Sequence, residues 1–474
     1  MRFYLESLGC PKNLVDSHGM AYLLKRLGHM AVDDPRHAQV LIVNTCGFIE
    51  DAREESLAEL RDLARRKRDG QVLIAAGCLS QRWGEALMAA IPGVDALLGT
   101  RRWNEIDALV EELRAGRTAQ GWETRTLLGD PARGGAAGVR RIARQGASAY
   151  LKIADGCSAP CAFCAIPLIK GPAASRPVEA IVADAAELVR EGVKEIVLIA
   201  QDTTAYGRDR GERDALPALL EAILEATGGG DLRWLRLMYA YPGHLSRRTM
   251  EIMAREPRLC HYLDLPLQHA HPAVLKRMKR PTDVDRTRRL IAELRAAMPD
   301  LALRTSFIVG YPGETEAEFQ ALLDFLSEVR FDRVGAFLFS PEEGTAAASL
   351  PDAVPEPVQV ERLDRLMALQ QEISLEINEA QVGRTLDVLV EGQGDGLNVG
   401  RSYRDAPEID GLVLFPGEPQ KAAMGNIVPV RITGALEYDL TGEAVNGQRE
   451  PVRNQKAVPG NRSAQSARPA GPEA

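Results

Sequence analysis

Six apolar runs, 150–154, 195–200, 234–239, 262–265, 303–309 and 333–339, are each followed by a stretch of helical periodicity. A strand regularly followed by a helix reads as a βα unit, and repeated units build a parallel sheet through right-handed crossovers. Six units fall two short of a closed eight-stranded barrel, so the expectation is an open (βα) partial barrel. Its lateral opening suits a macromolecule that presents a loop. In such sheets the chemistry gathers at the carboxyl ends of the strands.

Immediately after the first of these strands, Gly156-Cys157-Ser158-Ala159-Pro160-Cys161-Ala162-Phe163-Cys164 places three cysteines at C-x3-C-x2-C spacing. Soft thiolates on one tight loop select zinc, copper(I) or an iron–sulfur cluster. A structural zinc site takes four ligands, and the nearest histidines, His244 and His261, lie far along the chain. Three ligands on a four-iron cubane leave one iron open to chemistry.

The 474 residues suffice for roughly three domains at about 150 residues each. A formal charge of −8 and the lack of a long basic run argue against a general nucleic-acid coat protein. Neither a signal peptide nor an apolar run of roughly 18 residues is present, which predicts a cytoplasmic protein without a membrane span. Seven cysteines, an odd number, then read as metal or redox groups rather than disulfides.

The first segment alternates strands and helices in a Rossmann-like α/β pattern. Strand-like runs 3–8, 40–44 and 72–76 end at Gly9-Cys10, Cys46-Gly47 and Gly77-Cys78. Loops that follow parallel strands share one sheet edge, so Cys10, Cys46 and Cys78 are expected to converge on a second metal site. The alternative is three small buried hydrophobes, as free cysteine often is. Residues 116–147, with Gly134-Gly135-Ala136-Ala137-Gly138, read as a linker, and Arg140, Arg141 and Arg144 as its solvated face, with a partner contact the alternative. Cys260 has no partner at ligand spacing and reads as structural, and His269 and His271 as polar residues at a strand end.

A long amphipathic helix over 357–379 leads into short strands at 385–390, 399–403, 411–415 and 426–432, separated by Gly, Pro and Asp turns. This predicts a small antiparallel β-barrel. The composition of 446–474 predicts a disordered tail.

Four stretches carry a family resemblance: 8–17 (Leu-Gly-Cys-Pro-Lys-Asn-Leu-Val-Asp-Ser), 157–167, Gln201-Asp202-Thr203-Thr204-Ala205-Tyr206-Gly207 and Leu265-Pro266-Leu267-Gln268-His269. With them the chain resembles the radical S-adenosylmethionine (SAM) methylthiotransferases of the RimO type, up to about residue 445. The resemblance implies an amino-terminal methylthiotransferase domain over 1–115, a radical SAM core over 148–375 and a TRAM-like barrel over 376–445. It implies two 4Fe-4S clusters. One, on Cys157, Cys161 and Cys164, generates a radical from SAM, and the other, on Cys10, Cys46 and Cys78, carries sulfur. Phe163 of the cysteine loop, Gln201 and Asp202 as hydrogen-bonding residues past the second strand, Arg304 as a charge facing the barrel lumen and Gly310 as a close backbone approach to a flat ligand are the expected SAM contacts, with a plain turn or a satisfied lumen polar group the alternative at each. The implied substrate is the β-carbon of an aspartate in small-subunit ribosomal protein twelve, and the implied electron donor is a flavodoxin or ferredoxin acting on a monomeric enzyme. Two departures stand out: His18 where an acid is frequent, and Lys170 where arginine is common, which puts one anion contact in doubt because lysine lacks the bidentate fork. A sister enzyme acting on transfer RNA shares both clusters. A non-catalytic iron–sulfur sensor with a nucleic-acid-binding barrel is the alternative from another class.

From 383 to 445 acids outnumber cations. An acidic barrel repels phosphate and attracts a basic protein, so Asp405, Glu408 and Asp410 are expected on a partner-facing surface.

Overall fold

The computed structural model describes residues 1–116, 124–129, 139–417 and 423–445. The tail 446–474 and the glycine run 134–138 lie outside the described residues. Strand β1 (Arg2–Ser7) opens a six-stranded, all-parallel sheet with β2 (Met30–Ala31), β3 (Val40–Thr45), β4 (Val72–Gly77), β5 (Ala96–Gly99) and β6 (Arg125–Leu127), in the order β2-β1-β3-β4-β5-β6. Strands β3 and β4 are buried throughout, as expected of a parallel sheet covered on both faces. Helix α1 (Pro11–Arg26) starts directly after Cys10, with Pro11 at its first position, where a missing N–H costs nothing.

The second sheet contains all six expected strands: β8 (Ser148–Lys152), β11 (Glu195–Ile199), β12 (Trp234–Leu237), β13 (Leu259–Asp264), β14 (Ala302–Val309) and β15 (Arg333–Leu338). They are parallel neighbours in chain order and the sheet stays open. A seventh strand, β7 (Ile142–Gln145), pairs antiparallel with β8 through a tight hairpin. The short pair β9 (Ala154–Asp155) and β10 (Ala174–Ser175) flanks the cysteine loop.

The linker reading of 116–147 is corrected by β6 and β7, which complete the edges of two different sheets. Strands of three and four residues carry no readable period, and only their cross-strand partners define them. Arg141 is likewise no solvated residue. Its guanidinium is buried, ion-paired with Asp16 and Asp155 and stacked 4.4 Å over the Trp103 ring. Arg140 pairs with Glu187 and Glu191 instead.

Alternation along β11 sorts its side chains. Ile196 and Leu198 pack under the outer helices, whereas Val197 and Ile199 face inward with Tyr150, Trp234, Met238 and Tyr262. Val15 of α1 and Leu389 and Ala406 of the carboxy-terminal domain join this inner cluster, so all three domains share one interior.

After the helix Glu356–Glu379, strands β16 (Thr385–Gly394), β17 (Leu397–Ser402), β18 (Val413–Pro416), β19 (Ile427–Ala435) and β20 (Leu440–Ala444) close a barrel in the order β16-β17-β18-β20-β19. The β18–β20 pair is parallel, so the barrel is mixed rather than purely antiparallel, and β20 is a strand that the turn pattern did not reveal.

The partner-facing role expected of the barrel acids is corrected for Asp405 and Asp410, whereas Glu408 is exposed. Asp405 is buried with its Oδ1 2.8 Å from Arg333, and Asp410 accepts from Tyr262 at 2.7 Å and lies 3.4 Å from Arg304. Glu408 accepts from Gln145 and Tyr150. These carboxylates tie the barrel to the central sheet, where buried arginines at strand ends need countercharge.

Candidate active site

Glycines bring the amino-terminal cysteines together. A Cβ on Gly9 would lie 2.6 Å from the Cys46 Cβ, and one on Gly47 would lie 2.8 Å from the Leu79 Cα beside Cys78. Gly77, at φ +97°, lets β4 end against the Asn44 side chain and the Thr45 carbonyl. Asn13 then locks the loops: its Nδ2 donates to the carbonyls of Leu8, Asn44 and Thr45, and its Oδ1 accepts from the Cys78 thiol at 3.7 Å. Burial pushes the Cys46 thiol up to about 12, reinforced by Cys78 and Cys10. Burial also raises Cys78, with the Lys170 ammonium opposing.

The second triad follows β8. At Gly156, φ is +70° and a Cβ would meet the Pro172 carbonyl at 2.1 Å, so only glycine lets the loop fold back on Gly171 and Pro172. The Cys157 N–H donates to the Gly171 carbonyl, and the Ala162 N–H to the Met278 carbonyl. Cys157, Cys161 and Cys164 line one side of an open cavity of about 420 Å³, faced by Gly344 and Thr345. The Ala159 N–H donates to the Cys157 sulfur at 3.4 Å, and Arg280 approaches the Cys161 sulfur at 3.7 Å. Burial raises the Cys157 thiol and pushes Cys164 up to about 12, with Cys161 and Cys157 adding repulsion.

Each set is thus three soft sulfurs held near one another, and burial of Cys46 and Cys78 in one and of Cys157 and Cys164 in the other disfavours their thiolates unless a cation is bound, which fits a cationic iron–sulfur group. No three Cys, His, Asp or Glu among the described residues converge on a single ion's position.

The two sets adjoin. Cys78 packs on Ala165, the residue after Cys164, and on Ile169. Arg101 donates to the Pro167, Leu168 and Ile169 carbonyls, and Lys170 reaches Thr100 at 2.8 Å and Asp16 at 3.0 Å. Arg53 and Arg82 pair with Glu342 beside the cavity loop. Lys170 is therefore a tie between domains. That role, and the buried group Asp16, Arg141, Lys152 and Asp155, escaped the sequence reading. The available signal was a charge, Lys152, at the end of an apolar strand.

The remaining expected residues divide. Gln201 has a buried Oε1 without a hydrogen-bond partner among the described residues, suited to a ligand donor. Asp202 is already engaged, accepting from Thr204 and from the Ala205 N–H and standing 2.7 Å from His244 Nδ1. Phe163 packs against the apolar group of Ala162, Tyr311 and Met278. Arg304 does face the interior, bonded to Asp264 at 3.0 Å. Gly310 has φ +74°, and a Cβ there would lie 2.4 Å from the Gln359 side chain of the last long helix. His269 is buried near Glu314, and burial lowers its pKa to about 3. Cys260 is buried in the inner core, as a structural cysteine should be.

A partial barrel with a three-cysteine loop after its first strand defines a radical SAM enzyme, and residues 151–326 match the model of the Radical SAM superfamily. Residues 2–99 match Uncharacterized protein family UPF0004, and 382–445 match the TRAM domain. The chain is 52% identical over 480 residues to the ribosomal protein uS12 methylthiotransferase RimO of Roseiflexus sp. (strain RS-1), covering 97% of this chain and all of that one. It is 52% identical to the protein of the same name from Chloroflexus aurantiacus, covering 94% and 100%. The chain belongs to the RimO-type radical SAM methylthiotransferase family. Among solved structures it shares its fold with the radical SAM methyltransferase TsrM of Kitasatospora setae, at a TM-score of 0.53 and 15% identity over 86% of this chain and 80% of that one.

Proposed function

We propose that this enzyme replaces a β-hydrogen of an aspartate in ribosomal protein uS12 with a methylthio group, using SAM and two 4Fe-4S clusters. The observation that carries this reading is the packing of Cys78 on Ala165, which sets the two cysteine triads side by side across a domain boundary. When bound, the clusters and SAM supply an electron, a carbon radical able to take an unactivated hydrogen, and sulfur. An aliphatic C–H beside a carboxylate is too weak an acid for a side-chain base at neutral pH, so radical chemistry suits this substrate.

The chain's own part is to hold and orient. Cys157, Cys161 and Cys164 hold one cluster, with Arg280 and the Ala159 N–H donating to the sulfurs. Cys10, Cys46 and Cys78 hold the other under the clamp of Asn13. Gln201 offers its free Oε1 to SAM. The family names favour a protein substrate over transfer RNA, a ribosomal substrate fits a cytoplasmic enzyme, and the reading takes a flavodoxin or ferredoxin as electron donor.

The test is the mass of uS12 from cells with and without this chain, paired with reconstituted enzyme acting on purified uS12. A mass increase corresponding to one methylthio group is expected only where the chain is present. An unmodified uS12 in both assays overturns the reading.

A further inference from the structure

Lys12 is the second residue of α1, and three features of its position oppose stability. It places a cation at the positive end of a helix dipole. It is only 7% exposed. Among the described residues it has neither an ion pair nor a hydrogen bond; its Nζ lies 2.8 Å from the centroid of the Tyr239 ring, and Cys10 and Asp264 act on its charge only from beyond ion-pair distance. A buried, unpaired ammonium is among the most costly groups a protein can hold.

The carboxylate one would expect to serve it is occupied. Asp264, at the carboxyl end of β13, gives Oδ1 to Arg304 and Oδ2 to the Tyr239 N–H. The neighbouring lysines, Lys152 and Lys170, already share Asp16 and, with it, Asp155. Lys12 is thus the cation left over where the first domain meets the carboxyl ends of β12 and β13. It stands two residues from Cys10, on the face of the sheet where the three-cysteine loop also emerges.

We propose that Lys12 is the recognition residue for the carboxylate of the substrate aspartate. The proposal rests on the substrate reading above. An incoming carboxylate supplies a paired countercharge, and a salt bridge at Lys12 fixes the adjacent β-carbon beside the Cys10 loop. An amide or a hydrogen at that place would leave the ammonium buried and unpaired, so the preference for aspartate follows from the same cost. Lys12 takes no part in breaking or forming bonds on this assignment. It selects and positions.

The test compares two uS12-derived substrates, one with the target aspartate and one with asparagine there, on wild-type, Lys12→Met and Lys12→Arg enzymes reconstituted with iron and sulfide. Iron content and circular dichroism report folding, and fluorescence anisotropy of labelled substrate reports binding apart from turnover. Wild type should bind and modify the aspartate form about a hundredfold better than the asparagine form, a loss in the range for removing one partner of a buried charge pair. Lys12→Met should treat the two alike, and Lys12→Arg should keep most of the preference. An undiminished aspartate preference in Lys12→Met, or an equal loss on both substrates with wild-type iron content, overturns the assignment alone. Wild-type enzyme that modifies neither substrate overturns the substrate reading together with it.

Discussion

The Asp16 carboxylate of helix α1 lies 2.8 Å from the Lys152 ammonium at the end of strand β8, joining the first domain to the first strand of the radical SAM sheet. The same carboxylate serves Lys170 and Arg141, so one acid neutralises cations from three segments of the chain, helped by Asp155. These cations hold Asp16 and Asp155 well below the usual carboxylate range despite burial.

Replacing Asp16 with asparagine should therefore be severe. Removing one partner of a buried charge group costs about 3–5 kcal/mol, because the remaining cations stay buried. Denaturant unfolding should show that loss, and limited proteolysis should show the first domain loosened from the sheet. A change below about 1 kcal/mol, the range of exposed pairs, would contradict this account.

Glu195 gives a pH signature. It is buried between Arg401, at 2.6 Å, and Arg236, at 2.8 Å, and despite burial these hold its pKa down from 4.5 to about 2. Because the folded value is depressed, the stabilisation is present above pH 4.5 and is lost as pH falls toward 2. The linkage amounts to about 3 kcal/mol. Glu195→Gln should lower stability at pH 7 and flatten its slope between pH 4.5 and 2. Equal slopes in wild type and variant would show that Glu195 does not titrate there.

Alanine at Cys157, Cys161 or Cys164 should abolish SAM cleavage, since each thiol is one of only three protein ligands proposed for that cluster. The assay is 5′-deoxyadenosine release from reconstituted, chemically reduced variants. Wild-type yields would remove the assignment.

Alanine at Cys10, Cys46 or Cys78 should uncouple the reaction. Iron should drop by roughly half, as expected for loss of one of two four-iron clusters. Release of 5′-deoxyadenosine should persist while methylthiolated product disappears. Unchanged iron would leave these three as core cysteines.

The strand–helix alternation and the cysteine spacing were legible because both are local. A period of two or 3.6 residues, or a thiol every third or fourth residue, is written within a short window. The six central strands, the cysteines past the ends of β1, β3 and β4, and the loop after β8 all followed from such windows. The short strands β6, β7 and β20 did not, because a few residues become a strand only when a distant partner supplies their hydrogen bonds.

Sequence by itself determined the kinds of layers, the placing of the six cysteines just past strand ends and the family. Tertiary structure alone decided which charges are counterions and which are free. Asp405 and Asp410 count as surface acids in any tally of composition, yet they are buried against Arg333, Tyr262 and Arg304. Lys12 and Lys152 look alike as letters, but Lys152 pairs with Asp16 and Asp155 while Lys12, among the described residues, makes no ion pair and lies over the Tyr239 ring. The reason is physical. A charge's energy depends on what lies within a few ångströms once water is excluded, and many of those neighbours, such as Asp16 for Lys152 and Tyr262 for Asp410, come from distant parts of the chain.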